Sequence, residues 1–174
     1  DQADPVTREP RSHHRDRQHR RPPAPRDLGV ALHHPLEGED VRAADVEAAT
    51  WDLLDDVMDA AMVDLKCLDD DIHRRITGAS NARVLESIRL LATRGKLYEV
   101  RLLLLDGVND ADDLLAATGQ WLASINPRMR VKVIGFRNHG VRPSPVPLRE
   151  PTAGQRAHYA DVLRAEGEFD LVVV

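Results

Sequence analysis

From residue 46 to residue 174, short apolar runs alternate with amphipathic segments, and that alternation leaves few architectures open. Residues 46–58 read as an acidic helix, followed by a short apolar strand at 60–65. Residues 69–77 form a short helix whose first turn carries Asp69, Asp70 and Asp71, where carboxylates complement the helix dipole. Ser80 or Asn81 caps a longer helix with Val84, Leu85, Ile88 and Leu91 on one face, ended by Gly95. Residues 98–105 are a continuous apolar run interrupted by Glu99 and Arg101, as in a buried parallel strand. Gly107 and Asn109-Asp110 break it, and a helix at 111–125 turns Leu114, Leu115, Thr118, Leu122 and Ile125 inward. A strand at 130–136, a loop with four prolines between 143 and 151, a helix at 152–165 and a strand at 169–174 complete the series.

Strands and helices in strict turn make an α/β fold with a parallel sheet and crossover helices. Four strands are too few to close a barrel of the usual eight, so the expected architecture is an arc of parallel (β/α) repeats, in preference to a small open sheet. Such folds place their chemistry at the carboxyl ends of the strands. Here the first strand ends in Asp64-Leu65-Lys66, the second carries Arg101 before Asp106-Gly107, and the third runs into Arg137-Asn138-His139-Gly140. Basic groups converging on one rim suit an anionic or carboxylate-bearing small molecule. Each residue also has a plainer reading. Asp64 and Lys66 can be a strand-end ion pair, Arg101 a structural partner of Asp64 or Asp106, and His139-Gly140 a turn. His73 reads as a packing histidine, the acids at 69–71 as helix-start chemistry, and Trp51 and Trp121 as core.

The first 45 residues are of another kind. Residues 1–26 hold seven arginines against four acids, and five of the eight histidines fall within the first 34 positions. This stretch has almost no apolar periodicity, so it is expected to be a disordered or irregular tail. Its basic run at 15–21 contains no stacking aromatic and its histidines fit no closed zinc site. The overall charge is −5 and the tail contributes +3, so the body carries −8, which argues against nucleic acid as the partner. No apolar run approaches the roughly 20 residues of a membrane helix, and the expectation is a soluble, cytoplasmic protein without membrane association. A single cysteine, Cys67, excludes an internal disulfide and any multi-cysteine metal cage made by this chain alone.

The segment Asp59-Ala-Ala-Met-Val-Asp-Leu-Lys66 resembles the Asp-Leu-Lys strand of glycyl-radical-enzyme activating enzymes, which are radical S-adenosylmethionine (SAM) proteins of the pyruvate formate-lyase activase type. The likeness continues through Asp71-Ile72-His73, Thr77-Gly78-x-Ser80-Asn81 and the stretch from Ser87 to Leu97. It then runs through Glu99-Val100-Arg101-Leu102-Leu103-Leu104, Gly107-Val108-Asn109-Asp110 and Gly135-Phe136-Arg137-Asn138-His139-Gly140-Val141. The Arg94-Gly95-Lys96-Leu97 and His139-Gly140-Val141 segments are closest to the activases with a ferredoxin-like cluster insertion.

The resemblance implies a radical SAM partial TIM barrel, of which residues 46–174 would be the C-terminal half. It implies a site-differentiated [4Fe-4S] cluster that reduces SAM, and a radical delivered to a glycine of a partner glycyl-radical enzyme. Flavodoxin or ferredoxin would serve as electron donor. By the same resemblance Asp64 and Lys66 lie at the cofactor site, with Lys66 reaching towards SAM. Asp64 and the Met62 backbone hold a monovalent cation, Arg101 takes the SAM carboxylate, and Leu103 contacts the adenine. Either Arg137 or His139 stands beside the ribose.

The family's Cys-x3-Cys-x2-Cys loop, its Gly-Gly-Glu segment and its Asp-x-Asn-Gly strand end have no counterpart in this sequence, so the chain offers no iron–sulfur ligands. The expectation is a truncated radical SAM oxidoreductase, inactive by itself, with residues 1–45 out of frame or unrelated. The competing expectation is a catalytically inactive α/β fragment or partner-binding module. A half barrel leaves its first strand at an unpaired edge, and such an edge invites association.

Overall fold

A computed structural model describes residues 47–139 and 148–174. The Arg/His/Pro-rich segment at 1–45, and Gly140 and Val141 of the His-Gly-Val segment, lie outside the described residues. The elements follow in the order α1 (Ala48–Leu54), β1 (Ala61–Leu65), α2 (Asp70–Thr77), α3 (Ala82–Thr93), β2 (Leu97–Leu104), α4 (Asp112–Ile125), β3 (Arg130–Gly135), α5 (Ala153–Glu166) and β4 (Asp170–Val173). The strands form one parallel sheet in the order β1-β2-β3-β4, so each pairs with its predecessor in the sequence. The α/β arc expected from the alternation is the fold observed.

One face of the sheet is apolar and carries Val63 and Leu65 of β1, Val100, Leu102 and Leu104 of β2, and Val131 and Val133 of β3, all buried. Helix α3 lays Val84, Ile88 and Leu91 on it, α4 adds Leu115 and Leu122, and α5 adds Tyr159 and Leu163. Removing this surface from water is the main source of stability, at roughly 25 cal/mol per Å² of apolar area. Trp51 of α1 belongs to the same core and donates its indole N–H to Ser87 Oγ at 2.9 Å. Trp121 packs at its margin under the guanidinium of Arg89.

The helix ends explain the local boundaries. Asp69 caps α2 by accepting from the Ile72 N–H at 2.8 Å, and Gly78 ends it in the left-handed region at φ 82°, where a side chain would be strained. Thr152 and Gln155 form a capping box at the start of α5. At α3 the two capping candidates divide the work. Ser80 Oγ accepts from the Ala82 N–H at 3.2 Å, whereas the Asn81 amide turns inward and donates to the carbonyls of Cys67 and Leu68. The first helix is shorter than the 46–58 expected, because residues past Leu54 break into turns and leave Val57 exposed while only Met58 returns to the core. His73 is buried and satisfied, with Nδ1 3.0 Å from the Ala79 carbonyl oxygen.

Candidate functional site

The opposite face of the sheet is polar. Strand alternation turns Met62 and Asp64 of β1, Glu99, Arg101 and Leu103 of β2, Arg130, Lys132 and Ile134 of β3, and Asp170 of β4 away from the helices. Parallel register aligns them in rows. Met62 stands beside Glu99, and Asp64 beside Arg101, which in turn stands beside Lys132; Leu103 stands beside Ile134. A shift of register between Ala61 and Met62 inserts Tyr98 as an extra residue in β2 and brings its ring under Arg130, 5.4 Å from the guanidinium carbon.

A buried carboxylate organises this face. Glu99, only 3% exposed, accepts from Arg101 Nε through one oxygen and from Arg130 Nε through the other, each at 3.1 Å. Arg130 also donates through Nη1 to Asp170 at 2.7 Å. The Glu99 hydrogen bond is the largest influence raising the already high pKa of Arg130. Arg101 places Nη2 against Met62 Sδ, and among the described residues its Nη1 has no partner. Sequence reasoning gave Arg101 a possible structural bond to Asp64 or Asp106, and the structure gives it Glu99 instead. Asp64 is occupied by Lys66, whose Nζ lies 2.8 Å from Oδ2. Asp106 lies past the end of β2, where it meets Arg149 at 3.3 Å and the Gln155 amide at 2.8 Å.

Met62, Asp64, Arg101 and Leu103 therefore share one face of two adjacent strands, with Lys66 one residue beyond the end of β1. Arg101 sits within its strand, so the basic groups do not all converge on the rim. Arg137 and His139 follow β3 by two and four residues and are both exposed. The rim is tied together by Asn109, which is buried. Its Oδ1 accepts from the Leu105 N–H at 2.8 Å, and its Nδ2 donates to the carbonyls of Lys66 at 2.6 Å and Leu103 at 2.8 Å. Glu99, Arg130 and Asn109 were not among the site residues expected. The first two were legible as part of the charged pairs Glu99/Arg101 and Arg130/Lys132, two residues apart on the face opposite the apolar positions of each strand.

A cleft of about 760 Å³ is lined by residues 126–128 and 164–168 at the other end of the sheet and contains none of these side chains. We place the candidate site on the polar face because the unspent donors are there; the cleft is open and shares no residue with it. Among the described residues no three His, Cys, Asp or Glu side chains gather as a metal site. Cys67 is buried, and burial pushes its thiol pKa up, the opposite of what an iron ligand needs. A lone protonated thiol does not fit a [4Fe-4S] cluster. Among the described residues no helix is long and apolar enough to cross a membrane.

No protein-family model matches the chain. It is 29% identical over 89 residues to the pyruvate formate-lyase 1-activating enzyme of Escherichia coli, a match covering 51% of this chain and 36% of that protein. It is likewise 29% identical over 84 residues to the pyruvate formate-lyase-activating enzyme of Streptococcus mutans, covering 48% of this chain and 32% of that protein. The matches thus span about a third of the length of these curated relatives. Among solved structures, a domain of pyruvate-formate lyase-activating enzyme from Bacteroides vulgatus superposes with a TM-score of 0.63 at 19% identity, over 74% of each chain. A radical SAM methyltransferase from Sphaerobacter thermophilus does so with a TM-score of 0.52 at 21% identity, over 66% of this chain and 33% of the other. These likenesses establish the fold. The chain is distantly homologous to pyruvate formate-lyase-activating radical SAM enzymes over about half its length.

Proposed function

From that distant homology we propose that this chain is the SAM-cradling part of a glycyl-radical-enzyme activase and not its electron source. The observation that carries the reading is the Arg101 guanidinium, held in place on the polar face with Nη1 unspent. A fixed guanidinium fork is the usual receptor for a carboxylate, and SAM carries one on its methionyl end. Leu103, further along β2 on the same face, offers an apolar surface to the adenine. Lys66 has two further ammonium hydrogens beyond the one given to Asp64. The second oxygen of Asp64 and the Met62 backbone are assigned to a monovalent cation, and Arg137 or His139 to the ribose.

The residues present fit SAM and do not fit the iron–sulfur cluster, so no electron-transfer step is assigned to this chain. The cluster, its reductant (flavodoxin or ferredoxin) and the glycyl-radical enzyme that receives the radical belong to the complete activity, for which other protein segments are required. The chain's own part is to bind and orient the sulfonium nucleoside through charge and shape.

Isothermal titration of the chain with SAM tests this reading. Binding is expected, and Arg101→Met is expected to weaken it by about tenfold or more, the worth of a single charge-assisted hydrogen bond. Binding that is absent, or unaffected by that substitution, would leave the competing reading of an inactive fragment or partner-binding module, which the edge of β1, unpaired among the described residues, favours.

A further inference from the structure

We propose that Glu99 is a positioning residue that selects which edge of Arg101 meets the ligand; the proposal rests on the assignment of Arg101 to a SAM carboxylate. A guanidinium can grip a carboxylate by its Nε–Nη2 side or by its Nη1–Nη2 end. Glu99 Oε1 occupies the Nε of Arg101 at 3.1 Å, and Met62 Sδ lies against Nη2. The side edge is thereby closed, and the Nη1 end is the one left to an incoming anion.

Glu99 cannot swing aside to release that edge. Its other oxygen is held by Arg130 at 3.1 Å, and Arg130 is itself anchored by Asp170 at 2.7 Å and by the ring of Tyr98. A buried carboxylate between two guanidiniums is a weak device for stability, because apolar replacements of such groups are often neutral or stabilising. Geometry is what this one supplies. One carboxylate fixes two arginines: Arg130, whose Nε and Nη1 both go to carboxylates, and Arg101, whose Nη1 is left to a ligand.

The test compares two probes that share the adenosine and thioether, S-adenosylhomocysteine, which carries the amino-acid chain with its carboxylate, and 5′-methylthioadenosine, which carries a methyl group in its place. Each is titrated into the full chain while the arginine Nε–H signals are followed by ¹⁵N NMR. In the unaltered chain, S-adenosylhomocysteine is expected to bind more tightly than 5′-methylthioadenosine and to shift the Arg101 signal. Glu99→Gln is expected to weaken S-adenosylhomocysteine by about tenfold and to leave 5′-methylthioadenosine unchanged. Should Glu99→Gln fail to fold, Arg130→Gln, which frees the anchor while keeping both Glu99 and Arg101, is expected to give a several-fold loss of the same selectivity.

Equal weakening of both probes would mark Glu99 as structural and overturn the proposal. Unchanged S-adenosylhomocysteine binding in Glu99→Gln, alongside a loss in Arg101→Met, would overturn it too and spare the assignment of Arg101. Unchanged binding in Arg101→Met would overturn both.

Discussion

Replacing Asn109 should reveal how firmly the ends of β1 and β2 are tied. Its amide makes three hydrogen bonds in a buried position, to the Leu105 N–H and to the carbonyls of Lys66 and Leu103. At about 1 kcal/mol net for each, Asn109→Ala should cost about 3 kcal/mol. For a domain of this size that is a fall of about 10 °C in Tm. Asn109→Asp is the sharper probe. The aspartate keeps an acceptor for the Leu105 N–H, yet turns a second oxygen towards two carbonyl oxygens that previously received hydrogens. At neutral pH the aspartate should therefore be worse than alanine. The clash disfavours the charged form, so the folded-state pKa of the new carboxyl is raised above its unfolded value near 4. The deficit relative to the unaltered chain should be smallest below about pH 4 and should grow as pH rises through the folded-state value. Urea melts followed by circular dichroism at several pH values measure both effects. An alanine variant within about 0.5 kcal/mol of the unaltered chain, or an aspartate deficit flat in pH, would refute the reasoning.

Two further outcomes are expected. Asp70 accepts from Arg74, the Asn81 N–H and the Ser80 hydroxyl, and the Arg74 bond first among these holds its carboxyl at about 2, below the ordinary 3.8. Its contribution is present above pH 3.8 and fades as pH falls towards 2, so Asp70→Asn should flatten that part of an acid-unfolding curve; an unchanged curve would show that this loop does not depend on the charge. Among the described residues no strand pairs with the outer edge of β1, so the chain expressed by itself should form oligomers in light scattering. A monodisperse monomer with a cooperative melt would contradict that.

Alternation and punctuation made most of the fold legible. Gly78, Gly95 and the capping Asp69 and Thr152 bound elements whose apolar positions have an unambiguous period, so the strands and the four later helices stand within about two residues of where they were expected. The helix expected at 46–58 outruns α1 because its acids and scattered leucines satisfy helix propensity without a face to bury, and Leu53 and Val57 end up exposed. The site was legible only in its list of residues. That Arg101 and Asp64 stand in register follows from strand pairing, which a linear sequence does not encode. The pairing of Arg101 with Glu99 is shared with Arg130, which comes from a strand 31 residues away, while Asp64 pairs with Lys66. Charge inside an apolar strand announces that a partner exists; only the register says which.

The sheet order β1-β2-β3-β4 also bears on how the molecule is made. Every strand lies beside the one translated just before it, so no early segment waits for a distant later one before its backbone is paired. A ribosome could release this chain one strand and one helix at a time, each new unit docking on a surface already in place. The growing end of the sheet would be β4. Among the described residues β1 pairs on one side alone, with β2, and no later strand in this order covers its other edge.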